Sequence, residues 1–216
     1  MSGQEKQIYH FVFMRHGESV GNVEERWQGQ SDYPLTDRGR AQAQTIAEAW
    51  KADGTKFDLA ITSPLVRAKE TAEIIAAALD VKVESDPIWM ERHIGEITGL
   101  TATEVRQHHP RPAFVTPYES IGRVGEGDWV LFLRAGQALQ GLLSRPVGRY
   151  LIVSHGGLLN QLMHAIIGIA PHADPSGVRF RFDNTAFARV FYLPHQHRWV
   201  FDALNNHAQS HSIKQE

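Results

Sequence analysis

Three short apolar runs, "IYHFVFM" (8–14), "FDLAITS" (57–63) and "RYLIVS" (149–154), constrain this chain more than any other feature. Each is too short for a helix, and its apolar residues follow one another instead of alternating with polar ones. That is the pattern of a strand covered on both faces. Each run leads toward a stretch with helical spacing. Strands and helices that alternate in this way line up in parallel, with the helices on both sides of the sheet.

The intervening segments carry their own punctuation. "YPLTDRGRAQAQTIAEAWKADG" reads as a helix with Thr36 as N-cap and Asp53-Gly54 at its end. "SPLVRAKETAEIIAAALD" reads as a second helix, with Ser63 as N-cap and Pro64 at the first helical position. "VKVES" is a short strand, and "TATEVRQHHP" carries a capping box, Thr101 with Glu104, ending at Pro110. "GDWVLFLRAGQALQGLLSRP" and "GGLLNQLMHAIIGI" are further helices, and "AFARVFYLPHQHRWVFDAL" reads as two strands joined by a polar turn. The expected fold is a three-layer α/β/α sandwich with a mostly parallel central sheet and one antiparallel strand. A single domain is expected over residues 1–204, followed by a polar tail at 205–216. The Pro- and Gly-rich stretch 110–127 is expected to be a lid or pocket wall.

Composition excludes several functions. A formal net charge of -2 exerts no long-range pull on nucleic acid or anionic lipid, so neither is an expected partner. Any anion must be held by a local basic cluster. The absence of cysteine removes disulfides, thiolate nucleophiles and Cys-ligated zinc. The start, "MSGQEKQ", is polar, and no run approaches transmembrane length, so a cytoplasmic location is expected.

Ligands of open α/β sheets bind outside the carboxyl ends of the strands. Here those ends carry Arg15, His16 and Gly17 after the first run, Ser63, Pro64 and then Arg67 after the second, and Ser154, His155, Gly156 and Gly157 after the late one. Taken singly, each has a bland reading: "SHGG" as a capping turn, Arg67 as a solvated helix residue. Together they place two arginines and two histidines on one edge. Guanidinium forks match pairs of phosphate oxygens, and helix N-termini offer free N–H groups to the same anion. A neutral imidazole can accept a phosphoryl group, and a second one, if protonated, would stabilise its equatorial oxygens. The cations are side chains, so neither a metal nor a cofactor is expected.

"RHGES" with Asn22 behind it, "SPLVRAKETA", "ERHIGEITGL" and "VSHGG" follow one another in an order that resembles the histidine phosphatase superfamily, of phosphoglycerate-mutase-like fold. The resemblance extends from about Ile8 to Leu204. It implies that His16 becomes phosphorylated and that Arg15, Arg67 and His155 form the phosphate pocket, with Asn22 also at the phosphate. It further implies that Gln28 and Gly29 of "RWQGQSDYPLT" contact substrate beside Gly156, and that Glu91 is the proton donor. A carboxyl next to an anion site is expected to hold its proton more readily. The plain alternative for Glu91 is a surface carboxylate paired with Arg92. Glu18 is expected to cap or pair near the first motif. His108 and His109 suit a helix end, and His195 and His197 a solvated turn.

Within that resemblance the expected activity is hydrolysis of a small phosphorylated metabolite. "VSHGG" resembles the phosphatase form of the motif, and the stretch between Glu91 and His155 is short and lacks the basic run of the mutases. A phosphoglycerate-mutase-type phosphotransferase is the alternative, suggested by "ERHIG". Thr98 before Gly99 departs from the usual phosphatase pattern. A non-catalytic phospho-ligand-binding protein is the third reading, with all five pocket residues present against it.

Overall fold

The computed structural model describes residues 7–173 and 177–205. The three apolar runs become β1 (Tyr9–Arg15), β2 (Leu59–Thr62) and β4 (Arg149–Ser154). With β3 (Val83–Ser85), β5 (Phe187–Leu193) and β6 (Arg198–Asn205) they form one six-stranded sheet of order β3-β2-β4-β1-β5-β6. β3, β2, β4 and β1 are mutually parallel, and β5 runs antiparallel to both β1 and β6. The expected architecture is therefore observed. β5 turns into β6 through Pro194–Gln196, a link far too short for a parallel crossover.

The sheet explains why the middle of each central strand is a continuous apolar run. On one face Phe11, Phe13, Ile61 and Ile152 pack against helices α5 (Asp128–Leu143) and α6 (Gly156–Ile167). On the other, Val12, Met14, Ala60 and Val153 pack against α2 (Asp37–Ala52) and α3 (Val66–Leu79). Successive strand residues alternate between the two cores, so neither set can be polar. No helix among the described residues is long and apolar enough to cross a membrane.

Local punctuation holds in most places. Thr36 caps α2 by accepting from Gly39 N at 3.0 Å. The Thr101–Glu104 capping box is formed at the start of α4 (Ala102–His108). The start of α3 differs from expectation. Ser63 is not its N-cap; the helix begins at Val66, with Leu65 at the cap position and no side-chain cap of its own. The Ser63 hydroxyl is engaged by Leu65 N and by His155, while Val66 N donates to Asp32 Oδ1 at 2.9 Å, from the loop after β1. A tertiary contact thus caps this helix. A short helix, α1 (Val20–Val23), follows the first motif. β6 takes in Asn205, the first residue of the expected tail; residues 206–216, like residues 1–6 of the polar start, lie outside the described residues.

Candidate active site

β2, β4 and β1 are neighbours, so their carboxyl ends deliver Ser63, His155 and Arg15-His16 to one spot. His16 is buried, and its Nδ1 lies 2.7 Å from the Gly17 carbonyl. A carbonyl only accepts, so Nδ1 carries the proton and Nε2 the lone pair. His155, the residue before α6, is fully buried with its ring centroid 5.1 Å from that of His16. Its Nε2 is 2.8 Å from Ser63 Oγ.

Two guanidinium groups frame this pair. Arg67, in the first turn of α3, is buried and donates to Ser31 O and Gly29 O, both at 2.8 Å. Arg15 donates to Phe182 O at 2.8 Å. Both are held by carbonyls, whereas Arg26, Arg92, Arg123 and Arg134 each pair with a carboxylate. Burial lowers the Arg67 pKa to about 10, which leaves it charged at neutral pH. Burial also lowers that of Arg15. Five buried side-chain nitrogens or oxygens among the described residues lack a partner, and three of them are Arg15 Nε, Arg67 Nε and His155 Nδ1. Buried polar groups in folded proteins are normally satisfied, so three orphans around one imidazole mark a place for a ligand with several acceptor oxygens.

Burial, and then the charges of Arg67 and Arg15, hold the His16 pKa well below the ordinary histidine value; burial and Arg67 do the same for His155. Burial and like charge thus both favour the neutral form of each ring in the free protein. The linkage has a definite sign. Below about pH 6.5 the unfolded chain takes up protons that the folded chain refuses, so stability is lost as pH falls from there toward the folded values. Each imidazole can contribute a slope of up to about 1.4 kcal/mol per pH unit. Denaturant unfolding between pH 7 and pH 5 should show this loss, and His16→Gln should reduce it. An unchanged slope would place the sensitivity elsewhere.

Glu91 sits opposite, on the segment after β3. Its Oε1 accepts from Arg92 N at 2.8 Å and Leu158 N at 3.2 Å, and Oε2 from Gly157 N at 3.1 Å. The carboxyl thus docks on the N-terminus of α6. A side chain at Gly157 would begin 2.5 Å from Oε1, so only glycine admits the carboxyl here. The plain alternative fails, because the Arg92 side chain pairs with Asp128 and gives Glu91 only its backbone N–H.

The other expected residues divide. Gly156 borders Arg15, and Asn22 is linked to the His16 carbonyl through Asn184, whose Nδ2 donates to both. Gln28 is buried under α1, accepting the Ser19 hydroxyl at 2.8 Å. Gly29, at φ +49, contributes its carbonyl to Arg67. In the free protein both thus contribute hydrogen bonds that support the site. Glu18 pairs as expected, with Thr36 and Arg38. His195 and His197 are exposed in the β5–β6 turn, where His197 Nδ1 meets the Tyr192 hydroxyl at 2.8 Å. The 110–127 stretch contains neither helix nor strand, and its Gly122 carbonyl accepts from Glu96 N, against the segment that follows Glu91.

Sequence reasoning missed two supports. Arg134 of α5 donates to the carbonyls of Ile88, Met90 and Glu91 while pairing with Glu126, clamping the segment that carries Glu91. Nothing in the spacing links a helix arginine to that segment. Asn184 and Thr185 reach the first motif because β5 is antiparallel and so starts at the edge where the parallel strands end; Thr185 N donates to the carbonyls of Arg15 and His16. An antiparallel strand in the expected fold was a usable signal for them.

Comparison with known proteins agrees with this geometry. The family model of the histidine phosphatase superfamily (branch 1) matches residues 11–207. A probable phosphoglycerate mutase GpmB of Yersinia enterocolitica is 37% identical over 187 residues, 84% of this chain and 84% of that protein. Among solved structures, Bacillus stearothermophilus YhfR superposes with a TM-score of 0.80 at 28% identity, covering 93% of this chain and 98% of that one. A mycobacterial glucosyl-3-phosphoglycerate phosphatase solved with VO3 gives 0.77 at 26% identity, covering 92% and 99%. The chain belongs to the histidine phosphatase superfamily.

Proposed function

We propose that this superfamily member is a metal-independent phosphomonoesterase that hydrolyses a small phosphorylated metabolite through a phosphohistidine at His16. The observation that carries the reading is the set of unpartnered buried nitrogens, Arg15 Nε, Arg67 Nε and His155 Nδ1, around an imidazole whose Nε2 holds a lone pair. A phosphoryl group seated there would satisfy all three beside the nucleophile.

In the first step the Nε2–P bond forms as the ester P–O bond breaks, and Glu91 gives a proton to the leaving oxygen. In the second, Glu91 takes a proton from water, the water oxygen bonds phosphorus, and the Nε2–P bond breaks to release inorganic phosphate. A carboxyl offers about four lone-pair sites. Oε1 already accepts two N–H groups and Oε2 one, so Oε2 is the oxygen with room for the transferable proton.

Hydrolysis is favoured over transfer back to a substrate because Arg92 and Arg123 are already neutralised by Asp128 and Glu96. A mutase needs cations for a second anionic group and a closure that excludes water. The mutase name of the relative keeps phosphotransfer as the second reading. A panel of phosphomonoesters assayed in EDTA, with phosphoglycerates and glucosyl-3-phosphoglycerate included, separates them. Phosphate release supports the phosphatase. Isomer interconversion without phosphate release overturns it in favour of the mutase, and phosphate binding without any turnover in favour of a binding protein.

Arg67→Ala should lower kcat/KM on the order of 10²- to 10³-fold, as loss of one preorganised donor does elsewhere. It should also abolish thermal stabilisation by inorganic phosphate. Arg67→Lys should recover only part, because an ammonium cannot hold Gly29 and Ser31 and still present a fork to phosphate. Full activity in the lysine variant would remove Arg67 from the phosphate contacts.

A further inference from the structure

Resting on the reading above, we propose that Ser63 is a positioning residue that fixes the tautomer of His155, so that a neutral imidazole presents Nδ1–H to the bound phosphoryl group. Ser63 is fully buried. Its Oγ accepts from Leu65 N at 3.2 Å and lies 2.8 Å from His155 Nε2. A hydroxyl has one proton to give, and a buried one requires an acceptor. With Leu65 on a lone pair, His155 Nε2 is the acceptor within reach, so the hydroxyl donates and Nε2 carries the ring's lone pair.

The ring proton then belongs on Nδ1. That nitrogen is buried without a partner, in a ring whose neighbours are His16, Arg15 and Arg67. The opposite tautomer would strand the Ser63 proton and leave a bare lone pair where phosphate oxygens must sit. Both defects disappear with Nδ1–H. The assignment also explains why Ser63 fails to cap α3: its hydroxyl is committed across the sheet to the end of β4, and Asp32 caps the helix instead. The arrangement adds a donor to the pocket without adding a third cation beside His16. A lone pair on His16 Nε2 and a proton on His155 Nδ1 are therefore set by two different partners, a carbonyl and a hydroxyl.

The test is a long-range 1H–15N correlation spectrum of the imidazoles in the full-length protein at pH 7.5, free and saturated with inorganic phosphate, with His155 assigned by its loss in His155→Gln. His155 should show the neutral Nδ1–H pattern in both states. Ser63→Ala should shift it toward the Nε2–H tautomer and weaken inorganic phosphate binding about tenfold or more. Ser63→Thr, which keeps the hydroxyl, should retain both. A neutral Nε2–H or doubly protonated His155 in the native protein overturns the proposal, and so does a folded Ser63→Ala that keeps the native tautomer and affinity. If Ser63→Ala does not fold, the native spectrum alone decides. The spectrum is read without turnover, so Nδ1–H in a protein that hydrolyses no phosphomonoester would sink the phosphatase reading and leave this one standing.

Discussion

His16→Ala should lose phosphomonoester turnover by on the order of 10⁵-fold, the scale seen when a covalent nucleophile is removed from an intact site. The native protein, quenched during turnover of a labelled substrate, should carry acid-labile, base-stable label that the variant lacks. The geometry adds a discriminating control. Phosphate is offered its unpartnered contacts by Arg15, Arg67 and His155, none of which depends on the His16 ring. The alanine variant should therefore still bind inorganic phosphate. Loss of binding and turnover together would make His16 a binding group and leave the nucleophile unassigned. Activity abolished by EDTA and restored by a divalent metal would contradict the whole scheme, in which guanidinium groups supply the positive charge.

The fold was legible because its strongest signals are local and repeated. The run "RYLIVS" coincides with β4 to the residue, and the other two runs fall within one or two residues of β1 and β2. The positions of Arg15, His16, Arg67 and His155 followed from topology alone: parallel strands deliver their carboxyl ends to one edge. What escaped depends on contacts distant in the chain. The start of α3 was misplaced because its cap, Asp32, comes from a loop more than thirty residues earlier in the sequence. Gln28 Oε1 is engaged by Ser19 and the Gly29 carbonyl by Arg67, contacts that no local pattern reveals. The charge state of His155 was left open for a related reason. Sequence shows a histidine near arginines, but only the structure shows it buried among them, where burial and like charge both oppose protonation.

Glu91→Gln should slow esters with poor leaving groups, such as alkyl phosphates, about 10²- to 10⁴-fold in phosphorylation of His16. Nitrophenyl phosphate, whose leaving group needs little proton assistance, should be slowed far less. The substitution is conservative in space but not in hydrogen bonding. The amide oxygen can take the place of Oε1 and accept from Arg92 N and Leu158 N, while the NH₂ must face the Gly157 N–H that Oε2 now accepts. One weak contact is lost along with the proton, a change of about 1 kcal/mol that applies equally to every substrate. The difference between leaving groups therefore isolates proton donation from the loss of a structural bond. Gly157→Ala offers an independent route to the same result, because its methyl would start 2.5 Å from Oε1 and push an intact carboxyl off the start of α6. It should show the same dependence on leaving group with the acid still present in the chain. Equal slowing of good and poor leaving groups in both variants would reduce Glu91 to a cap on α6 and pass the role of acid to another group.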